Sequence, residues 1–302
     1  MLKYKILKKI LEELYKGKNP HGSHLSDEQK KVKLAIVRFQ AKGKNPQTPI
    51  DLSQYQPKEV FILTYDDFGK ELTRKVNERF KGTQAEIPVN LKLNQTIKRG
   101  DILVRSVYLT TILQDEQLRS LGLYPITPLE SELLLQQGKL PKDTSNYWED
   151  LALILYDDSD QGRNPKEAQA LKESIRQHQK DLNLSDKDLE QRLLVVNTGL
   201  ELDSTFRKGV KPVVLPGITK VFVHETLKQT GRKPKFNYGS ENGLPSTTEL
   251  GTGNRNLLMP SQNNNLGLRV LYRRRNLNLN ARYENLDGWN EDGRVLFAKK
   301  SP

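Results

Sequence analysis

From Asn276 to Arg282 the chain reads Asn-Leu-Asn-Leu-Asn-Ala-Arg, an unbroken alternation of polar and apolar side chains. Such a period of two points to a β-strand, because successive side chains project to opposite faces of a sheet. Leu277, Leu279 and Ala281 then share one face, and Asn276, Asn278, Asn280 and Arg282 share the other. The flanking apolar residues Leu268, Val270, Leu271, Leu286 and Val295 to Phe297 keep a strand frame. The expectation is a C-terminal sheet with one face on a core and the other, planar and hydrogen-bonding, displayed to solvent.

The composition around this strand is equally biased. Between Asn254 and Asn290, 37 positions hold ten Asn, six Arg and no Lys, in a chain otherwise rich in Lys. With Tyr272, Tyr283 and Trp289 nearby, the displayed face has the make-up of a binding surface: aromatic rings give rigid area, and Asn and Arg give adaptable hydrogen bonds. Two other readings stay open here. One is a solvated face with Asn-rich turns. The other is a nucleic-acid surface built on Arg273, Arg274 and Arg275, which the net charge of +12 would favour.

The rest of the chain of 302 residues sets limits. Its length allows two units of roughly 100–200 residues each, and its 35% hydrophobic content implies extra polar surface or long loops. The absence of cysteine excludes disulfides, Cys-ligated zinc, iron–sulfur clusters and thiol nucleophiles. No apolar run approaches the roughly 18–20 residues of a membrane span, and Lys residues interrupt the first ten positions, so no secretory signal is expected. That reading leaves the location open, with a cytoplasmic one compatible.

Leu2, Ile6, Leu7, Ile10, Leu11 and Leu14 fall at helical spacing opposite Lys3, Lys5, Lys8 and Lys9. They predict a basic amphipathic helix that docks on its own domain or on a second copy. A loop with His21 and His24 follows. A short helix and a strand are expected between Ser26 and Phe39, then a strand over Val60–Tyr65, a helix over Phe68–Phe80, and strands over Ile87–Leu93 and Ile102–Leu113. Pro128 opens a helix ending at Gly138, and Trp148–Tyr156 reads as a central strand. Asn164 is placed as the N-cap of a helix reaching about Leu182, and Ser185 as the cap of another over Asp186–Leu193. Leu194–Leu200 and Val213–Thr226 read as strands, and Leu227–Gln262 as a long ordered loop.

Two segments raise the question of catalysis: Val60-Phe-Ile-Leu-Thr-Tyr-Asp-Asp67 and Leu151-Ala-Leu-Ile-Leu-Tyr-Asp-Asp158. An apolar strand ending in paired carboxylates and followed by a helix is a common frame for magnesium. The same pair is also ordinary turn and cap chemistry. With no phosphate-binding Gly-rich loop and no nucleophile elbow, the structural reading is preferred, and the magnesium-dependent nuclease stays as the alternative, together with a basic nucleic-acid-binding protein. His178 is expected to be solvated in its helix. His224 is expected to be structural, paired with Glu225 or Glu201. No catalytic residue, metal or cofactor is expected.

The stretch from Asn265 to Phe297, Asn-Leu-Gly-Leu-Arg-Val-Leu-Tyr-Arg-Arg-Arg-Asn-Leu-Asn-Leu-Asn-Ala-Arg-Tyr-Glu-Asn-Leu-Asp-Gly-Trp-Asn-Glu-Asp-Gly-Arg-Val-Leu-Phe, resembles the C-terminal variable region of the target proteins of diversity-generating retroelements. It is most similar to the archaeal and archaeal-virus variable proteins. The strand Trp148–Tyr156, the loop Leu244-Pro-Ser-Thr-Thr-Glu-Leu-Gly251 and the closing Gly293-Arg-Val-Leu-Phe297 suit the same family, so the likeness covers roughly residues 127–300. In that family a reverse transcriptase rewrites adenines of a repeat while a C-type-lectin fold is kept. Changing the adenines of an Asn codon never yields Lys, Glu, Gln, Met or Trp, which fits the Lys-free segment and makes Glu284 and Trp289 frame residues. The resemblance implies an α+β chain. Residues 1–115 would form a mixed α/β domain, and residues 116–302 a C-type-lectin-like ligand-binding domain with its variable region at about 266–297. It implies a diversified ligand-facing set of Tyr272, Arg273, Arg274, Asn276, Asn278, Asn280, Arg282, Tyr283, Asn285 and Asn290. The partner implied is a macromolecule, a protein before a nucleic acid, and a virion-associated location becomes an alternative. Likeness to calcium-dependent sugar-binding lectins is confined to Trp289-Asn290, followed here by Glu291, so no calcium-bound sugar site is expected. Formylglycine-generating enzymes share the fold but act through cysteine in some members.

Overall fold

The computed structural model describes residues 60–62, 67–83, 85–86, 123–140, 148–207, 209–231, 233–261, 266–274, 276–283, 286 and 296–299. The chain divides into two compact units, Met1–Gln54 and Tyr55–Pro302, and every described residue belongs to the second. The basic N-terminal helix, the His21 and His24 loop, the signals of 26–39 and the strands expected at 87–93 and 102–113 lie outside the described residues. So do Asp66, Arg275, Asn285, Trp289 and Asn290.

The second unit is a mixed α and β structure around one large sheet. In chain order its elements are β1 (Val60–Ile62), α1 (Asp67–Arg79), β2 (Leu123–Pro125), α2 (Pro128–Gln136), β3 (Glu149–Leu155), α3 (Pro165–Gln177), α4 (Asp186–Leu189) and β4 (Leu193–Val196). There follow β5 (Gly199–Leu202), β6 (Val210–Val213), β7 (Lys220–Val223), a 3-10 turn (Glu225–Lys228), β8 (Lys235–Phe236), β9 (Arg255–Leu258), β10 (Leu268–Arg273), β11 (Leu279–Tyr283) and β12 (Leu296–Lys299). Seven strands form the main sheet in the order β7-β4-β3-β10-β11-β9-β8. Its pairings are antiparallel except that of β11 with β9. Three strands, β1-β12-β2, make a smaller sheet, and β5 and β6 form a hairpin-like pair.

Both faces of the main sheet are covered, which explains why β3 from Leu151 onward and β4 are continuously apolar and do not alternate with polar residues. Leu153, Leu155, Leu193, Val195, Leu268, Val270 and Tyr272 pack with Val76 and Phe80 of α1 and with Ala168, Leu171 and Ile175 of α3. On the opposite face Ala152, Ile154, Tyr156, Leu194, Val196, Leu271, Leu279 and Ala281 pack with Leu227, Phe236, Leu244, Leu257 and Met259. The segment read as a long loop, 227–262, thus supplies a second core layer and contains β8 and β9.

Several boundaries differ from the expected ones. The division placed near residue 115 does not separate the packing: β1 pairs with β12 through Val60 to Ala298, and Val76, Phe80 and Ala85 share a core with Leu153 and Leu171. The expected strand 194–200 breaks at Asn197, whose φ of 58° is left-handed and ends β4. The expected strand 213–226 is two strands, β6 and β7, separated by a turn in which the Thr219 hydroxyl donates to the Asn197 carbonyl at 2.8 Å. Asn164 precedes α3 as expected but makes no side-chain cap; it sits at φ 51° and its Nδ2 donates to the Leu268 carbonyl at 2.9 Å, tying α3 to β10. The cap expected at Ser185 is formed, and α2, read only as a helix opened by Pro128, carries a cap as well. Thr127 accepts from the Glu130 amide while Glu130 accepts from the Thr127 amide, and Ser185 and Asp188 repeat the arrangement.

Candidate ligand-binding face

The Asn/Arg-rich segment folds as β10, a tight turn and β11. Its apolar register is as the alternation requires, with Leu279 and Ala281 in the layer of Leu271. Leu277 is the exception. It lies in the turn at φ 63°, half-buried, where its amide donates to the Arg274 carbonyl at 2.8 Å and the Arg274 amide donates to the Asn278 carbonyl at 2.8 Å.

The polar alternates are not a solvent-facing row. Tyr272, Arg273, Asn278 and Asn280 are exposed by only 4%, 1%, 9% and 6%. Alternation shows that the two faces differ chemically, but here both faces lie under other chain, so the polar one is turned to internal hydrogen bonding. Asn280 Nδ2 donates to the Tyr272 hydroxyl at 2.7 Å, and its Oδ1 accepts from the Arg282 amide at 2.8 Å. Asn278 Oδ1 accepts from the Asn256 amide at 2.7 Å, beside the two registered positions at which β11 pairs with β9. A side-chain amide there continues the ladder where backbone pairing stops. Asn276 is exposed, Arg274 and Arg282 are half-buried, and the side chains of Tyr283, Asn285 and Asn290 lie outside the described residues. Arg282 is partly committed, with Nε donating to the Met259 carbonyl at 2.6 Å.

Arg273 enters a buried ionic cluster that sequence reading missed. Its Nη2 donates to Glu149 and, at 2.5 Å, to the Ser131 hydroxyl, and its Nη1 is 3.7 Å from Glu132. Glu132 takes a two-pronged pair from Arg255, at 2.5 and 2.8 Å, and accepts from the Gly239 amide at 2.9 Å. Arg255 also donates to the carbonyls of Leu277 at 2.7 Å and Asn237 at 3.1 Å. Two guanidiniums and two carboxylates thus clamp α2, β3, β9 and the β10–β11 turn together. The available signal was an acidic residue inside the apolar run of α2 and arginines inside apolar strands, since buried charges persist only when paired.

At the tip, two rings stack and a guanidinium lies over one of them. The Trp148 and Tyr272 rings lie 5.2 Å apart at an interplanar angle of 14°, and the Arg274 guanidinium sits 5.2 Å from the Trp148 ring.

No family model, curated protein or solved structure matches this chain. The face and its surroundings are what bear on function.

Three of the four paired acids are described, each with partners of its own. Asp157 Oδ1 accepts from the Ser159 amide and hydroxyl at 3.3 and 3.2 Å and from the Gly267 amide at 2.8 Å, so it closes a turn and holds the start of β10. Asp158 pairs with Lys172 at 2.8 Å, and exposed Asp67 pairs with Lys70 at 3.1 Å. Among the described residues no group of three or more His, Asp or Glu is placed to hold a metal ion. No helix among them is long and apolar enough to cross a membrane.

His178 is half-buried, its Nδ1 2.9 Å from the Ser174 carbonyl, and is less solvated than expected. His224 is buried. Its Nε2 donates to the Glu241 carbonyl at 3.0 Å and its Nδ1 accepts from the Thr226 amide at 3.3 Å, so its partner is Glu241 and not Glu225 or Glu201. Burial, opposed by the Glu241 contact and by Glu225 and Glu249, pushes its pKa down to about 4.

Proposed function

We propose that this chain is a ligand-binding protein that presents a diversifiable surface on a C-type-lectin-like scaffold, in the manner of retroelement target proteins. On this reading it binds a macromolecule, a protein, and does not catalyse. The observation that carries the reading is the division of labour inside the Asn/Arg-rich hairpin. Asn278 and Asn280 are buried and spent on internal hydrogen bonds, whereas Asn276 at the turn is exposed, its Oδ1 accepting only a long 3.4 Å bond from the Asn278 amide, and Arg274 is half-open beside it. Substitution at such open positions changes the surface while leaving packing alone, where the cost is usually within about 0.5 kcal/mol. The ligand-facing set is accordingly smaller than the sequence alone suggests: Arg274, Asn276 and Arg282, joined by Tyr283, Asn285 and Asn290 if these follow the resemblance. Tyr272, Arg273, Asn278 and Asn280 serve as frame.

The test is the DNA flanking the gene. A near-copy of the segment coding for Leu266 to Phe297, differing only where the copy has adenine and lying beside a reverse transcriptase gene, is the expected result. Differences should gather at the codons for Arg274 and Asn276 and spare those for Asn278 and Asn280. Absence of any such copy overturns diversification.

A further inference from the structure

We infer that Arg274 is a pre-oriented anion clamp, and that the partner surface it meets is an acidic protein segment presenting carboxylates. The inference rests on the binding reading above and adds the chemistry of the contact. A surface arginine ordinarily spends rotamer entropy when it binds, because its long stem must be fixed. Arg274 has that freedom already restricted. Its backbone is held in the turn by bonds to Asn278 and Leu277, and its guanidinium lies against Trp148. Trp148 is itself braced by Tyr272, and Tyr272 by the hydrogen bond from buried Asn280. The rigidity of the buried sheet is passed outward through two stacked rings to one guanidinium.

A cation–π contact is electrostatic and leaves the N–H donors of a guanidinium able to bond other acceptors. No hydrogen bond or ion pair to any described residue uses the Arg274 guanidinium, in contrast to Arg255 and Arg273, which are consumed inside. A planar fork held beside a ring fits a carboxylate, which accepts two parallel N–H bonds. Asn276, exposed two residues on, adds an amide that suits the polar backbone of a peptide. Phosphate polymers need several spaced cations for affinity. Arg273, buried and paired with Glu149, is withdrawn from the Arg273 to Arg275 run that a phosphate-binding surface would use, which favours a carboxylate-bearing peptide surface.

The experiment uses the full chain with Trp289→Phe, so that Trp148 is the sole tryptophan and its emission reports on the stack. The probes are a ten-residue glutamate peptide and a ten-nucleotide oligothymidylate, titrated at low ionic strength. The expected result is a saturable change in Trp148 emission with the glutamate peptide, weakened at least about tenfold by Arg274→Gln and only partly by Arg274→Lys, because lysine keeps the charge and loses the fork. Far-ultraviolet circular dichroism of each variant verifies that it is folded. An emission indifferent to the peptide, or a response unchanged in Arg274→Gln, overturns the clamp. An equal or stronger response to oligothymidylate overturns the choice of an acidic protein partner. The flanking-DNA test is independent of this one, so a template repeat found alongside a silent Arg274 would sink the clamp and spare the binding reading.

Discussion

At the scale of single residues, asparagine has two distinct jobs in this chain, and exposure separates them. Replacing Asn278 by Ala would leave the Asn256 amide without its acceptor in a half-buried place, at a cost of about 1–3 kcal/mol. Asn276→Ser should stay within about 0.5 kcal/mol. Urea unfolding of the two variants gives the comparison. A triple change of Asn276, Asn278 and Asn280 to Ser is therefore expected to lower stability strongly, and a loss no greater than that of Asn276→Ser alone would show that the two buried amides are dispensable. His224 gives a second residue-scale prediction. Its folded pKa, about 4, lies below its ordinary 6.5, so the unfolded chain binds more protons between those values and stability must rise with pH across that window. The histidine's share is full above 6.5, falls as the medium is acidified, and amounts to roughly 3 kcal/mol over the whole span. Glu241, whose carboxyl is pushed up by burial and by Glu249, acts in the opposite sense. Unfolding free energies of the wild type and His224→Gln between pH 7 and 4 isolate the histidine. Parallel curves would mean that the ring titrates normally.

At the scale of elements, the ionic cluster determines how α2 meets the sheet. Removing one member strands a charge, so Glu132→Ala should cost about 3–5 kcal/mol. Replacing Glu132 and Arg255 together by Met removes both charges and should cost clearly less than the single change. Thermal or denaturant unfolding of the pair and the singles closes the cycle, and additive losses would argue against direct coupling. The starts of α2 and α4 were legible from sequence, because Pro128 suits a first helical position and Ser185 an N-cap; the capping boxes at Thr127 and Ser185 are what the structure adds. The role of Asn164 was not. Its bond to Leu268 spans 104 residues, and no local pattern encodes that. Gly267 is a similar case: at φ +77° a Cβ there would lie 2.1 Å from the Arg163 carbonyl oxygen, so only the crossing of two distant segments explains the glycine.

At the scale of the whole molecule, the packing assigns β1 and α1 to the same unit as the C-terminal strands. A chain beginning at residue 55 should fold with cooperativity close to that of the full chain. One beginning at residue 116 should not, since it lacks Val76 and Phe80. Phe80→Ala in the full chain is expected to cost about 3–5 kcal/mol, measured by guanidinium unfolding. A cooperative, equally stable fragment starting at 116 would return the boundary to its expected place. By itself the amino-acid order determined what is local or periodic: the strand frame of Leu279 and Ala281, the apolar centre of β3, the capped starts of α2 and α4, and the lack of thiol chemistry. Tertiary structure alone decided that both faces of that frame are covered, because alternation distinguishes two faces without saying what covers either. It also decided that Arg273 and Arg255 are spent on Glu149 and Glu132 while Arg274 rests on Trp148, since a guanidinium is committed by its neighbours in space and those neighbours lie more than a hundred residues away in the chain.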